Sequence, residues 1–187
     1  LLSKRTSSTS DWFIIDNKRN TTNPRNNFIN ANTNDAEYSP TYGVNFNSNG
    51  FTFISTDLNG NGQEWIYIAF GSDASAAPAL ADSFANKLYT GTGSATSISG
   101  LGFSPSLAWI KGRTNTASHQ WFDTLRGATY QISSDSTGAQ TQNTQMLTSF
   151  DTDGFSLGNQ SSVNGSGVNY VAWNWKASPV STINTDG

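Results

Sequence analysis

The sequence has no cysteine, which removes both a disulfide framework and a thiolate metal site. Outside a cell, such a chain would have to be stable by packing alone. Charge is scarce too: Asp, Glu, Lys and Arg together fill only 12% of the 187 positions. The net charge of −3 and a pI near 4.9 argue against a surface built to neutralise phosphates, and so against nucleic acid as a partner. No apolar run approaches the ~20 residues of a membrane-crossing helix, and Leu1-Leu2-Ser3-Lys4-Arg5 does not read as a signal peptide. The sequence opens without Met and is expected to begin inside a longer product or after a processing cut. Helical periodicity is also missing, since no window keeps apolar residues at i, i+3, i+4 and i+7 for three turns.

What is present is Asn, Ser, Thr and Gly in quantity, punctuated by short aromatic and β-branched runs. That is the make-up of a polar-surfaced all-β protein. Trp12-Phe13-Ile14-Ile15, Trp65 to Phe70, Leu107-Ala108-Trp109-Ile110-Lys111, Gln120-Trp121-Phe122-Asp123 and Tyr170 to Trp175 read as strands. Both faces of the run from Trp65 to Phe70 are apolar, which predicts a central strand covered on both sides. Residues 17–40 are dense in Asn, Thr and Pro and read as surface loops with Phe28-Ile29 as an anchor.

The chain repeats itself. Phe46-Asn47-Ser48-Asn49-Gly50-Phe51-Thr52-Phe53, followed after a Gly/Asn-rich bridge by Tyr67-Ile68-Ala69-Phe70, matches Phe150-Asp151-Thr152-Asp153-Gly154-Phe155-Ser156-Leu157 with Tyr170-Val171-Ala172-Trp173. The Asn49-Gly50 step predicts a hairpin in which Gly takes a positive φ. One constant offset also carries Lys4, Ile14-Ile15, Asp16 and Arg19 onto Lys111, Trp121-Phe122, Asp123 and Arg126. On that alignment Leu1-Leu2 occupies the place of Ala108-Trp109, and nothing in the first copy matches residues 88–107.

The expected fold is all-β, with two tandem antiparallel β-sandwich units of jelly-roll or concanavalin-like type, the first incomplete at its amino end. The expected domains are an incomplete first unit at 1–71, a linker at 72–84, a complete second unit at 85–178, and the start of a connector at 179–187. A sandwich lacking strands exposes sheet edges, so another chain segment, such as one from a neighbouring subunit, is expected to fill that edge.

Several islands of the second unit carry a resemblance. Tyr89-Thr90-Gly91-Thr92-Gly93, the stretch from Gly102-Phe103-Ser104-Pro105 to Lys111, His119 to Asp123 with Leu125-Arg126-Gly127, Phe150 to Phe155, and Tyr170 to Lys176 together resemble a repeat domain of virion-associated proteins of marine tailed phages, including cyanophages. Ser106 departs from the Asp usual in that family, and the first unit is a looser copy that matches from Lys4 onward. The resemblance implies a concanavalin-like or SPRY-like β-sandwich in a tail fibre, tail appendage or capsid-bound fibre. It implies no enzymatic activity and no cofactor, a place at the virion surface or outside the cell, and other virion subunits as partners, most simply in a homo-oligomer. Host-surface polysaccharide is the further expected partner. The alternative is a carbohydrate-binding module of a secreted glycan-active protein; a glycoside hydrolase or lyase is a third reading, for which paired carboxylates in a cleft are needed.

Few residues invite chemistry. His119 is the only histidine, and Asp123, four residues on along a strand, lies beyond ordinary hydrogen-bonding reach, so a structural role is favoured. Lys111, Asp123 and Arg126, repeated as Lys4, Asp16 and Arg19, are expected to form a structural polar network that fixes the loop after each strand. Residues 57–62 imitate the first half of a calcium loop, but Ile68 stands where the bidentate Glu is needed, so a turn is expected and no metal. Tyr38, Tyr42 and Tyr130 are the candidate glycan or partner contacts, because they lie near Asn-rich loops where rings and amides can meet a sugar.

Overall fold

A computed structural model describes residues 1–70 and 83–177. The expected connector at 179–187 lies outside the described residues, as does the expected linker apart from Ser83 and Phe84. The chain is all-β, with one four-residue helix among the described residues. The amino-terminal half contributes β1 (Leu2–Arg5), β2 (Trp12–Ile14), β3 (Ile29–Asn30), β4 (Val44–Asn47), β5 (Gly50–Phe53) and β6 (Trp65–Ile68). The carboxy-terminal half contributes β7 (Phe84–Thr90), β8 (Thr96–Ser99), β9 (Leu107–Gly112), β10 (Gln120–Asp123), β11 (Tyr130–Gln131), β12 (Thr141–Gln142), β13 (Leu147–Asp151), β14 (Gly154–Leu157), α1 (Ser161–Asn164) and β15 (Asn169–Trp175).

The sheets run antiparallel throughout. One has the order β3-β2-β1-β6, a second β10-β9-β15-β7, a third β13-β14-β8, and β4-β5 and β11-β12 are two-stranded. Alternation along β9 and β15 decides the layering. Ala108, Ile110, Tyr170 and Ala172 point to one side, where they meet Ile98, Leu147, Phe155 and Leu157 of the three-stranded sheet in a β-sandwich-like core. Trp109, Val171 and Trp173 point to the other side and close on Ile14, Ile29 and Ala31 of the amino-terminal sheet. The far face of that sheet sends Ile15 and Phe13 against Val44, Phe51, Phe53 and Leu58. β9 and β15 are therefore buried on both faces, which is why they read as continuous apolar runs.

The repeat is visible in the pairing. β2-β1-β6 has the order of β10-β9-β15, with Leu2 opposite Ile14 as Trp109 is opposite Trp121. Phe46 faces Phe51 as Phe150 faces Phe155. The last strand corrects the sequence alignment by two residues: Leu2 pairs with Ile68 while Trp109 pairs with Trp173, so Ile68 stands for Trp173 and Ile66 for Val171. An even slip keeps every side chain on its face, so the sequence match survived it.

Two further expectations are overturned. β6 is an edge strand, not a central one, and Ile66, Tyr67 and Ile68 are about half exposed (51%, 58% and 47%), against 0% for Val171 and 3% for Trp173. The physical reason is a missing neighbour: β15 has β7 on its outer side, and β6 has no strand there among the described residues. Gly50 does not take a positive φ; Asn47 pairs with Gly50, which leaves Ser48 and Asn49 at the hairpin tip. Phe28 and Ile29 do anchor the Asn-rich stretch, fully buried in two separate core clusters, although Ile29 lies inside a short strand and not in a loop. Residues 57–62 form the expected kind of turn, held down by the buried Leu58.

Trp173 joins the layers. Its ring meets Trp109 edge to face with centroids 5.2 Å apart, and its indole N–H donates to the Asp16 carboxylate at 3.2 Å. Trp173→Ala should cost about 3–5 kcal/mol, read as a fall in the urea midpoint; a loss under about 1 kcal/mol would show that the contact between the sheets carries little.

Candidate functional site

The six repeated polar residues separate into two devices. In each half the Asp carboxylate turns back onto its own loop: Asp16 Oδ1 accepts from the amides of Lys18 and Arg19 at 3.0 and 2.9 Å, and Asp123 Oδ1 from those of Leu125 and Arg126 at 3.1 and 2.9 Å. The other oxygen pairs with the Arg Nε at 2.7 Å for Asp16–Arg19 and 2.6 Å for Asp123–Arg126. Each guanidinium also donates to a carbonyl of the preceding strand, that of Ile14 or of Trp121. Burial acts to raise the Asp16 carboxyl, but the Arg19 charge and the Arg19 and Lys18 amides outweigh it and hold it below the usual carboxylate range. The lysines stand apart from these pairs. Lys4 donates to the carbonyls of Ser10 and Arg5 at 2.6 and 3.2 Å, and Lys111 to those of Gly112 and Asn115 at 2.8 and 3.3 Å. The Lys111 side chain is buried, which pushes its ammonium down to about 8.

Only the first Asp–Arg pair faces the other half of the chain. Arg19 continues to Glu37 at 3.1 Å, and Glu37 in turn takes both Nε and Nη2 of Arg113, at 3.1 and 2.7 Å. A chain of alternating charges, Asp16–Arg19–Glu37–Arg113, thus crosses the seam between the two sheets beside Trp173. Sequence reasoning missed Glu37 and Arg113 because neither is repeated. The available signal was rarity: Glu37 is one of two glutamates, with Glu64. The second pair lies at the surface, where Leu125 between its partners is 97% exposed.

His119 is the second seam residue. Trp109 Nε1–H donates to its Nδ1 at 2.7 Å, and its Nε2–H donates to the Asn30 carbonyl at 2.9 Å. Those two bonds require the neutral ring, and burial, assisted by nearby Lys111, lowers its pKa from 6.5 to about 4 despite the opposing effects of the Asn30 carbonyl and Asp135. The geometry commits both nitrogens to structure.

Of the candidate contact tyrosines, Tyr38 and Tyr42 both pack on Phe28, at 5.8 and 5.6 Å between ring centroids. The Tyr38 hydroxyl donates to Asn30 Oδ1 at 3.1 Å, and burial pushes its phenol well up. Tyr130 sits apart from them in β11, half-buried. The structure does not gather the three tyrosines into one site.

A concave feature lies elsewhere. An open cleft of about 710 Å³ runs between the halves, lined by Leu1, the hairpin tip 47–50, Phe70, Phe84, Asn86 and Trp175 among others. Phe84 and Trp175 lie 5.0 Å apart between centroids, with Phe70 5.4 Å from Phe84. Rings and amides of this kind suit an extended polymer, peptide or glycan. No group of three His, Cys, Asp or Glu able to hold a metal occurs among the described residues.

The described residues thus form an all-β fold with an aromatic and amide-lined cleft. The chain belongs to a family described as a domain of unknown function (DUF7483), whose model matches residues 1–73 and 79–187. No curated protein and no solved structure matches it.

Two measurements check the seam. Because the folded pKa of His119 is depressed, the unfolded chain takes the proton first; its contribution, on the order of 3 kcal/mol, is whole above pH 6.5 and is lost as the pH falls from 6.5 to about 4. Stability against pH should show that fall, and His119→Gln, which keeps a donor and an acceptor but does not titrate, should flatten it. Glu37→Ala leaves two guanidinium groups facing each other and should cost about 3 kcal/mol in denaturant titration, while Glu64→Ala at the exposed second glutamate should stay within about 0.5 kcal/mol.

Proposed function

We propose that the chain is a tandem of two β-sandwich units, jelly-roll or concanavalin-like, the first incomplete, and that it acts as a non-enzymatic structural or adhesion module of a phage virion. Its place is a tail fibre, an appendage or a capsid-bound fibre, at the virion surface, in a homo-oligomer with contacts to other virion subunits. The observation that carries this reading is where the scarce polar chemistry goes. His119, Lys111, Asp16, Arg19, Glu37 and Arg113 are spent on joining sheets and closing loops, an investment suited to a rigid displayed part with no disulfide to hold it. The proposed location is supported by the resemblance of the second unit to phage virion repeats.

A carbohydrate-binding module is the second reading, favoured by the cleft, whose lining includes Asn47, Asn49 and Asn86 as well as Phe84 and Trp175. Host-surface glycan contact by a virion module would use the same features or Tyr130.

Location separates the two readings. Mass spectrometry of density-purified particles from the producing culture should find this chain on the particles; its presence only in cleared medium would overturn the virion reading. A glycan array should in that case give binding lost in Trp175→Ala, whereas the structural role needs no array signal.

A further inference from the structure

The dipeptide Asn-Gly occurs four times, at Asn49-Gly50, Asn59-Gly60, Asn61-Gly62 and Asn164-Gly165. It is the step at which a backbone can attack its own side chain, because glycine has no Cβ to keep its amide nitrogen away from the Cγ of the preceding asparagine. The attack needs a glycine N–H and an asparagine carboxamide that are both unshared, and a backbone free to swing into a five-membered ring. A hydrogen bond held by either group has to open first. The four steps are identical as dipeptides and differ in these freedoms.

Asn164-Gly165 has none of them. Asn164 is fully buried, its Nδ2 donates to the carbonyls of Ser94 and Gly158 at 2.7 and 2.6 Å, and its Oδ1 accepts from the Thr92 amide at 2.8 Å. The Gly165 amide donates to the Tyr170 hydroxyl at 2.8 Å. Asn49-Gly50 and Asn59-Gly60 are intermediate, with exposed asparagines but restrained glycines. Gly50 is built into the β4–β5 ladder opposite Asn47, and the Gly60 amide donates to Gln63 Oε1 at 3.3 Å.

Asn61-Gly62 has every freedom. Both residues are exposed, and neither makes a hydrogen bond among the described residues. A Cβ on Gly62 would meet nothing within 4 Å, whereas one on Gly60 would run into the Gln63 amide at 2.7 Å. Gly62 has a φ of 75°, in the left-handed region that glycine enters at no steric cost. Fixed points bound this freedom on both sides: Leu58 is buried, and the Glu64 carbonyl accepts from the Thr6 amide at 2.8 Å.

We propose that Asn61 is a site of self-modification, converted without an enzyme to aspartate and isoaspartate through a cyclic imide with Gly62. Water or hydroxide takes the Gly62 amide proton, and the nitrogen forms a bond to Asn61 Cγ. The Cγ–Nδ2 bond breaks as that nitrogen gains a proton and leaves as ammonia. Water then opens the imide. Cleavage between the Gly62 nitrogen and Cγ leaves aspartate, and cleavage between that nitrogen and the backbone carbonyl carbon of residue 61 leaves isoaspartate, whose main chain runs through Cβ and Cγ. Nothing is oxidised or reduced. Either product adds one negative charge to the parent's −3, in a turn that already carries Asp57 and Glu64. The inference is independent of whether the chain sits on a virion or binds a glycan.

The test holds the purified whole chain in mildly alkaline buffer at body temperature, samples it over days, and reads each Asn-Gly step by peptide mass spectrometry after digestion in acid. Fragment ions separate Asn59 from Asn61. The Asn61 position should gain about 1 Da, and isoaspartate should appear there. Its rate should exceed that at Asn164 by about tenfold or more, since several hydrogen bonds must open at Asn164 and none at Asn61. It should also exceed the rates at Asn49 and Asn59. The same incubation in concentrated guanidinium should bring the four rates within a few-fold of one another, because the folded structure sets the order. Asn61→Gln, whose longer side chain would have to close a six-membered ring, should hold its mass at that position while the parent chain converts. No conversion at Asn61 in the folded chain when the unfolded chain converts, or conversion at Asn164 as fast as at Asn61, overturns the proposal.

Discussion

The structure depends on the burial of Trp109, Val171 and Trp173. These three side chains stand on the side of their sheet that a single β-sandwich would leave to water, and two indoles with a valine make a patch too large to expose. The amino-terminal sheet covers it with Ile14, Ile29 and Ala31. Once the sheets are face to face, the polar groups at the seam lose water and must find partners there. Asp16, Arg19, Glu37 and Arg113 do so as a charge chain, and His119 does so as a neutral ring with one donor and one acceptor engaged. The same covering explains why the Asp–Arg turn that is buried at Asp16 is left at the surface at Asp123.

Much of this was legible in the residues, for reasons that can be named. The all-β class followed from alternation and turn chemistry, and the repeat followed from hairpins whose glycines and aromatics recur in order. The run from Tyr170 to Trp175 read as a strand and is one, buried on both faces. The run from Trp65 to Phe70 reads as covered on both sides and is exposed, because apolarity on two faces states what a strand can cover and not whether its neighbours are present. The two-residue error in aligning that strand had a similar cause: an even slip leaves the hydrophobic pattern intact, so only backbone pairing could detect it.

The polar residues were less legible. Repetition pointed to Lys, Asp and Arg as one network, yet the loop geometry uses Asp and Arg as a closed pair and Lys as a separate donor to carbonyls. Glu37 and Arg113 carry the contact between halves and occur once each, so a search for repeated features passes over them. Tyr38 and Tyr42 looked available because their neighbours in sequence are polar, but Phe28, buried beneath that loop, draws both rings inward. Sequence neighbours describe a loop's surface; they do not reveal which core residue the loop folds onto.

The central claim is that the two halves differ in what lies beside their equivalent strands, with β15 enclosed and β6 open among the described residues. Hydrogen exchange followed by mass spectrometry on the chain alone measures this strand by strand. The account predicts that β15 and β9 are among the slowest-exchanging segments and that β6, equivalent to β15 in the repeat, exchanges markedly faster. Equal protection of β6 and β15 would mean that the β6 edge is already covered, and would contradict it.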